Sequence, residues 1–270
     1  MNVWKRTLTA LVLLPLVFLL VQFSSEILFF VVIQVIMILS LIEFYNLFQK
    51  KRVYPNKVLG IFFALLIGGA FLFEEFTLGM AVFIGLLVFT GGYLVSTRSI
   101  EELMAFPTEL SLTFFGALYL GFTLNHITLL RQEYGAFYIY FLLTVVFTGD
   151  TGAFFIGKKW GKHKMFSLAS PNKTWEGGLS GIVFGIIMGI VAGLVLFGNK
   201  FPLWKIILMA LMIQVVSQLS DPLESLFKRA SGVKDSSKIL PGHGGLLDRL
   251  DSLVLSIPFF YYVLKYFGMS

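Results

Sequence analysis

The chain has 270 residues, of which 57% are apolar and only 13% are charged. With a mean hydropathy of +0.86 it has too few polar groups to cover a water-exposed surface, which excludes a soluble globular protein. It contains no cysteine, which excludes disulfide scaffolds, thiolate metal sites and cysteine nucleophiles. The formal net charge is +6, from 21 Lys and Arg against 15 Asp and Glu.

Apolar segments in chain order predict an all-α polytopic integral membrane protein with about nine transmembrane helices. Crossing a bilayer takes about 20 apolar residues in a helix, because every backbone polar group must be satisfied within the segment. The predicted spans are Leu8–Phe23, Ile27–Leu47, Val58–Phe73, Leu78–Val95, Leu110–Leu130, Phe137–Ile156, Leu179–Phe197, Leu203–Leu223 and Leu246–Tyr266. No small-residue cleavage site follows the first segment, so we expect a retained span rather than a secretory signal.

The positions of the positive charges support this count and predict a cytoplasmic N-terminus. With nine spans in that orientation, only Arg131, Lys200, Lys205 and Lys265 of the 21 Lys and Arg lie on the outer side. Residues 1–134 form a predicted N-terminal region of five spans with no cluster that suggests chemistry. Residues 135–270 form a C-terminal catalytic region of four spans with two long basic loops, which we expect to enclose a polar cavity facing the cytoplasm.

The first basic loop follows an acidic residue in the sixth span. An ionisable residue inside a span, here Asp150, is a functional candidate, although it could simply pair with a neighbouring lysine. The loop contains Lys158, Lys159, Lys162 and Lys164, and then the stretch from Ser170 to Gly177, which contains Lys173. The lysines could also serve only to set the topology or to attract anionic lipid head groups.

The eighth span has polar residues along one helical face. The members are Gln214, Ser217, Asp221, Glu224, Ser225 and Lys228, at steps of 3, 4, 3, 1 and 3. Two carboxylates at the end of an apolar helix are costly unless they are paired, hydrated or bound to a cation. The face could therefore be a polar seam between helices or one wall of a cation-binding cavity.

A second acidic pair opens the ninth span, where Asp248 and Asp251 are three residues apart. Carboxylates from two helices could share one metal ion, and oxygen ligands without thiolates favour Mg²⁺ or Mn²⁺. Alternatively, both residues could cap the start of the helix and pair with Arg249.

The loop between these two helices contains the features of a polyphosphate site. Its basic residues are Lys228, Arg229, Lys234 and Lys238, and it ends in Pro241-Gly242-His243-Gly244-Gly245. Glycines allow the backbone to approach a ligand closely, and successive N–H groups ahead of a helix can bind an anion. The glycines alone could equally form a flexible turn, and the usual P-loop motif of NTPases is absent.

Residues 225–251 resemble the signature of the phosphatidate cytidylyltransferases, the CDP-diacylglycerol synthases. The resemblance includes Ser225-Leu226-Phe227-Lys228-Arg229, Lys234-Asp235-Ser236-Ser237 and the run from Leu240 to Asp251, with further similarity at 150–153, 170–177 and 220–225. It implies a homodimeric, multi-pass enzyme of the cytoplasmic (inner) membrane that makes CDP-diacylglycerol and pyrophosphate from CTP and phosphatidic acid. It also implies a divalent cation, and no nucleic acid as partner.

The resulting hypothesis assigns a role to each charged residue. Asp221 and Asp248 hold Mg²⁺ (or Mn²⁺), Glu224 and Asp251 are further ligands or lie close by, and a second cation is possible. Lys228, Arg229, Lys234 and Lys238 neutralise the pyrophosphate, Lys173 and Lys158 hold the phosphatidate head group, and Asp150 coordinates the cation or orients a lysine. The other expected substrate-binding residues are Ser170, Asn172, Thr174, Glu176, Ser225, Asp235, His243, Gly244, Gly245 and Arg249.

Three other functions are compatible with parts of this pattern, and one of them is a cytidylyltransferase that acts on another lipid phosphate. A CTP-dependent lipid kinase of the dolichol or prenol type would need a base for a hydroxyl group, and no carboxylate is an obvious one. A secondary transporter would place its polar site near the membrane midplane, between inverted repeats. Here the charges cluster at one membrane face and no repeat is detectable.

Overall fold

The computed structural model describes residues 14–49, 51–237 and 244–267, which form helices and one small sheet. The helices are α1 (Leu14–Phe23 in its described part), α2 (Glu26–Gln49), α3 (Lys57–Leu72), α4 (Leu78–Ser96), α5 (Ile100–Leu129, continued by a π-helical turn over Leu130–Tyr134), α6 (Ala136–Trp160), α7 (Trp175–Phe197), α8 (Leu203–Ala230), α9 (Leu247–Leu250) and α10 (Ser256–Tyr266). Among the described residues, α2, α4, α5 with its π-helical turn, α6, α7 and α8 are long and apolar enough to cross a membrane. The prediction of an all-α membrane protein is confirmed at this level.

The predicted spans agree with these six helices in position but not always at the ends. Helix α5 begins at Ile100 rather than near Leu110, and α8 continues to Ala230 rather than ending near Leu223. Hydropathy marks the apolar part of a helix, whereas the last turns of α8 are polar and are held by burial of Glu224 and Lys228 inside the protein.

Helix α3 and the described part of α1 are shorter than the other predicted spans. Helix α3 has 16 residues, and the described part of α1 begins at Leu14, so residues 8–13 of the first predicted span lie outside the described residues. Neither reaches the length that a perpendicular crossing needs. The count of nine spans therefore stays a prediction.

The prediction of the ninth span, Leu246–Tyr266, as one continuous helix is wrong. The segment contains α9 and α10, separated by a turn. In this turn the N–H of Ser252 donates to Asp251 Oδ1 over 2.8 Å, and the hydroxyl of Ser220 donates to the backbone carbonyl of Asp251. Side-chain bonds to the backbone compete with the helical ladder, so the polar residues here break the helix that their spacing suggested.

The chain forms two compact units. The first contains Met1–Thr128 and Ser231–Arg249, and the second contains Leu129–Ala230 and Leu250–Ser270. The loop that follows α8 thus belongs to the same unit as the N-terminal helices. The functional division that the sequence predicts between residues 134 and 135 stays a prediction.

In the first unit, aromatic packing and a few buried hydrogen bonds hold the helices together. Phe63 of α3 is fully buried, and its ring stacks on Phe114 of α5 with centroids 4.9 Å apart. The hydroxyl of Tyr45 in α2 donates to the carbonyl of Thr113 in α5 over 2.7 Å. These contacts fix α2, which contains a buried carboxylate described below.

In the second unit, glycines allow α7 to pack closely on α6 and α8. The buried residues of α7 are Gly177, Gly178, Gly181, Gly185, Gly189 and Gly193. A Cβ atom at Gly189 would lie 2.7 Å from Cβ of Ala210, which is closer than real side chains approach. The opposite face of α7 presents Val183, Ile187 and Val191, all about half exposed. Small residues at the helix contact and large apolar residues outside are the pattern of a helix in lipid.

The first basic loop is ordered as a β-hairpin. Strands β1 (Lys164–Phe166) and β2 (Ser170–Thr174) are antiparallel, and Lys164 pairs with Thr174. Thr174 also begins α7, because its hydroxyl accepts the N–H of Gly177 over 3.2 Å as a helix N-cap. Lys173 therefore lies at a rigid junction between a strand and a helix.

Candidate active site

The polar face of α8 points into the second unit, as its spacing predicts. Gln214 and Ser217 are fully buried and Glu224 is 1% exposed, whereas Leu219 and Leu226 on the other side are about half exposed. The side chain of Asp221 keeps 27% of its exposure. The face is thus interior, with Asp221 as its accessible carboxylate.

Three carboxylates converge in the second unit from separate parts of the chain. They are Asp150 of α6, Asp221 of α8 and Asp251 of the turn after α9, and Asp221 is close enough to interact electrostatically with both others. Ser252 links two of them, since its hydroxyl donates to Asp150 Oδ2 and its N–H donates to Asp251 Oδ1, each over 2.8 Å. Buried carboxylates that repel one another need compensating positive charge.

The pKa of Asp251, which lies outside the six candidate spans, reflects the excess of negative charge in this cluster. Its burial, together with the charge of Asp221, raises its pKa to about 7 against the opposing attraction of Lys228. A cation bound nearby would favour its ionised form.

Lys173 supplies positive charge to this cluster. Its Nζ lies 3.0 Å from Asp221 Oδ2, its side chain is 19% exposed, and it also attracts Asp150. The structure therefore brings together Asp150, Lys173 and Asp221, all of which the sequence singled out. A lysine that is bound to a partly exposed carboxylate can also bind an incoming phosphate.

A second ion pair lies deeper in the unit. Lys228 and Glu224, one turn apart on α8, are 2.9 Å apart, with side-chain exposures of 8% and 1%. Lys228 also attracts Asp251. The predicted pyrophosphate-binding lysine is thus already part of the charge balance of the acidic cluster.

Other predicted residues of this unit make local contacts. Glu176 accepts the backbone N–H groups of Lys162 and His163, and the ring nitrogen Nδ1 of His163 lies 2.6 Å from its Oε1. Glu176 thereby fixes the turn between α6 and β1. Arg229 is exposed, and its Nε donates to the carbonyl of Ala169 over 3.4 Å.

The remaining predicted residues of the second unit surround the cluster more loosely. The hydroxyl of Ser225 lies 3.3 Å from Asp221 Oδ1, a long hydrogen bond within α8. Lys158 is exposed, and its Nζ lies 5.8 Å above the ring of Phe154. In β2, Asn172 is exposed and Ser170 is half-buried.

In the first unit, Asp248 organises the glycine-containing loop. Its Oδ2 accepts the N–H of Gly245 over 2.8 Å and the N–H of Ser236 over 2.9 Å, and the hydroxyl of Ser236 lies 3.0 Å away. Gly244 has a φ of +83°, a conformation that side chains rarely adopt. Asp248 thus holds together two parts of the loop that precedes α9, and both its role as a helix cap and its role as a metal ligand stay predictions.

The same loop depends on a residue that the sequence analysis missed, Glu43 of α2. This carboxylate is 1% exposed and accepts hydrogen bonds from the N–H groups of Leu246 (3.0 Å) and Leu247 (2.8 Å) and from the hydroxyls of Ser236 (2.9 Å) and Ser237 (2.6 Å). The first half of the chain therefore contributes a buried carboxylate that the sequence analysis did not single out, whereas the expectation that it holds no cluster suggesting chemistry stays a prediction. A signal was present, because Glu43 is an ionisable residue inside an apolar span, as Asp150 is.

The other predicted residues of this loop that the structure describes lie at the surface. Lys234, Asp235 and Arg249 are exposed. Lys238 and His243 lie outside the described residues.

Comparison with known sequences decides the family. Residues 4–267 match the cytidylyltransferase family, which is almost the whole chain. The chain belongs to this family.

Individual cytidylyltransferases of known name support this membership. A phosphatidate cytidylyltransferase of Bacillus subtilis is 37% identical over 191 residues, which is 70% of this chain and 68% of that protein. Enzymes of the same name from Haemophilus influenzae and Staphylococcus saprophyticus are 38% identical over 170 residues and 39% over 140 residues, covering 56% and 53% of those proteins. The matched segments thus span about half to two thirds of these relatives.

The donor atoms of this cytidylyltransferase suit a hard divalent cation, although no complete protein cage is present. Within residues 14–49, 51–237 and 244–267, no three His, Cys, Asp or Glu side chains are grouped as ligands of one metal ion. Mg²⁺ does not need such a cage, because it is usually held by one or two carboxylates together with water and substrate phosphates. Asp221, which is partly exposed and lies near Asp251, offers oxygen donors of this kind.

Proposed function

We propose that the chain is a phosphatidate cytidylyltransferase, a nucleotidyltransferase that converts CTP and phosphatidic acid into CDP-diacylglycerol and pyrophosphate in phospholipid biosynthesis. The observation that carries this proposal is the family match over residues 4–267, together with relatives that bear this name. The paired charges of the second unit suit a reaction between two phosphate groups.

The reaction needs positioning more than it needs a base. An oxygen of the lipid phosphomonoester attacks the α-phosphorus of CTP, and the bond to the bridging oxygen of the β-phosphate breaks to release pyrophosphate. A phosphomonoester has a second pKa near 6, so the nucleophile is already largely ionised at neutral pH. The residues must therefore hold two anions together and neutralise the leaving group.

Lys173 is the residue best placed to hold the lipid phosphate. Its amine is at the junction of β2 and α7 and forms an ion pair with Asp221 over 3.0 Å. A phosphate could share this lysine with Asp221, or displace the carboxylate and release it for a cation. Lys158 is expected to assist from the surface.

Mg²⁺ (or Mn²⁺) is the proposed cation, held by Asp221 with Asp251 and Glu224 as further ligands or close neighbours. When bound, it would neutralise negative charge on the triphosphate. Asp150 would orient Lys173, and Lys228 and Arg229 would attract the pyrophosphate. The proposal also includes Asp248 as a further ligand of the cation, and a second cation at the site.

We further propose the finer topology. The chain crosses the cytoplasmic membrane nine times, with the N-terminus and the active site on the cytoplasmic side, and it acts as a homodimer. The distribution of Lys and Arg supports the orientation. The six long apolar helices support a multi-pass protein, and the bacterial relatives support the inner membrane.

The test follows the two ends of the nucleotide separately. The purified protein in lipid nanodiscs is incubated with Mg²⁺, phosphatidic acid or a prenol, and CTP labelled at the α- or the γ-phosphorus. We expect α-label in the lipid fraction only when phosphatidic acid is present, and γ-label released as pyrophosphate. Label from the γ-position in the lipid would instead indicate a lipid kinase, and no label in lipid from the folded protein would reject both activities.

A further inference from the structure

One buried side chain holds both ends of the glycine-containing loop. The hydroxyl donors to Glu43 come from residues 236 and 237, and the N–H donors come from residues 246 and 247. Residues 236–237 and residues 246–247 are therefore bound to the same carboxylate of α2. All of these residues belong to the first unit.

The carboxylate also determines where Asp248 lies. The hydroxyl of Ser236 is within 3.0 Å of both Glu43 Oε2 and Asp248 Oδ2, so a single hydroxyl connects the two acids. Gly245 fits between them with no room for a side chain, because a Cβ atom there would collide with the hydroxyl of Ser236 and the carboxylate of Glu43. A shift of Glu43 would displace this glycine and Asp248 together.

A carboxylate suits these neighbours because each of its oxygens faces one backbone N–H group, which can only donate. A glutamine amide would turn an N–H₂ group toward the N–H of Leu246 or of Leu247. Burial of a carboxylate in an apolar helix is unfavourable unless such bonds replace its water. The four bonds at Glu43 offset that cost and stabilise one conformation of the loop ends.

We propose that Glu43 is a positioning residue for the triphosphate of CTP. It would act through the loop, by holding Gly244, Gly245 and Lys234 in the arrangement that binds the nucleotide. This inference rests on the proposed function, and it concerns CTP rather than the lipid phosphate, which we assign to Lys173 of the second unit.

The experiment measures the KM for each substrate separately in the Glu43→Gln variant of the full chain in nanodiscs. We expect the KM for CTP to rise about tenfold or more, because misplaced N–H donors weaken every contact of the loop with the nucleotide. The KM for phosphatidic acid should stay within about twofold of the wild-type value. A KM for CTP within about twofold of wild type, or an equal rise in both KM values, would overturn the proposal.

A matched control separates this effect from a general loss of packing. Gln34 is buried on the same helix, and its Nε2 donates to Asn125 Oδ1 over 2.6 Å within the same unit. Gln34→Leu removes that interhelical bond without touching the loop, so it should lower thermal stability and leave both KM values within about twofold. An equal rise of the KM for CTP in this control would also reject the specific role of Glu43.

A milder variant keeps the test decisive if Glu43→Gln does not fold. Ser237→Ala removes one donor to Glu43 and should raise the KM for CTP about threefold, and no change would count against the proposal. Where both variants fold, their combination should be little worse than Glu43→Gln alone, because the two residues act through one contact. Additive effects would contradict this.

Wild-type protein measured in parallel separates this inference from the proposed function. If wild type forms no labelled lipid, the proposed function fails and the inference fails with it. If wild type is active and Glu43→Gln has wild-type kinetics, only the inference fails.

Discussion

Buried charges in the second unit occur in mutually dependent groups, which explains why they fall at a single site. Lys173 is bound to Asp221, and Lys228 is bound to Glu224 while it also attracts Asp251. Removing one member of a buried pair leaves the other uncompensated, which costs more than the pair contributes. Substitutions at this site should therefore keep the shape of the side chain, and their effects should be measured as changes in KM and in the Mg²⁺ requirement.

A substitution of Asp221 is the best test of the proposed cation site. Asp221→Asn keeps the shape but removes the charge, so we expect turnover to fall about 100-fold and the Mg²⁺ concentration for half-maximal activity to rise. Titration of activity with Mg²⁺ checks both. Glu133→Gln is a suitable control, because Glu133 lies in the same unit but is not one of the clustered carboxylates. Its Oε1 accepts a hydrogen bond from the hydroxyl of Tyr261 over 2.7 Å.

Near-normal turnover of Asp221→Asn with an unchanged Mg²⁺ requirement would show that Asp221 does not hold the cation. The same substitution at Asp248 separates its two interpretations. A changed Mg²⁺ requirement would favour a ligand, whereas a raised KM for CTP alone would favour the loop-organising role that its hydrogen bonds suggest.

Lys173→Gln should act mainly on the lipid substrate. We expect the KM for phosphatidic acid to rise about tenfold and the KM for CTP to change less than about threefold, since the lysine is proposed to bind the lipid phosphate. Steady-state kinetics in mixed micelles with varied lipid fraction measure this. Lys205→Gln, which changes a lysine on the predicted outer side, should leave both constants unaltered. A larger effect on CTP than on phosphatidic acid would reassign Lys173.

At the scale of elements, the shape of α7 is as important as its hydropathy. Its glycine face allows α6 and α8 to approach, and these helices contain Asp150 and Asp221. In lipid the hydrophobic effect does not drive helices together, so close packing through small residues has to supply much of the stability.

Gly189→Leu should therefore destabilise the protein although it makes α7 more apolar. A leucine would collide with Ala210 and Val145, and overpacking of this kind typically costs about 1–3 kcal/mol. We expect a fall of several degrees in the apparent Tm of the detergent-solubilised protein. Ile187→Leu, on the exposed face of the same helix, should leave the Tm unchanged. Equal Tm values for the two variants would contradict the packing argument.

At the scale of the whole molecule, the proposed orientation in the membrane rests on the distribution of Lys and Arg. The absence of cysteine allows a direct test, because any introduced thiol is unique. Asn199, after α7, is predicted to lie outside, and Lys162, before β1, is predicted to lie in the cytoplasm. Both side chains are exposed in the structure.

A membrane-impermeant maleimide should label the two single-cysteine variants differently. We expect Asn199→Cys to react in intact spheroplasts and Lys162→Cys to react only after lysis, because the reagent cannot cross the membrane. Gel-shift of the labelled chain measures this. The reverse pattern would invert the topology and place the catalytic loops outside.

The sequence alone indicated that most of the surface faces lipid, that the chain is helical, and which charged residues are candidates for the site. Composition excludes a soluble protein, the 3.6-residue period put the polar face of α8 inside, and the 225–251 motif indicated the family. These features are local, so a short stretch of chain contains them completely. Lys173 and Asp221 could each be identified as candidates in this way, but the contact between them could not be predicted.

Only the tertiary structure decided which of these residues meet. The bond between Lys173 and Asp221, and the four bonds at Glu43, join residues far apart in sequence. The break between α9 and α10 likewise depends on Ser220, a residue of another helix, whose hydroxyl binds the carbonyl of Asp251. Periodicity describes one element at a time, whereas a buried polar group takes its partner from whichever element the packing brings within hydrogen-bond distance.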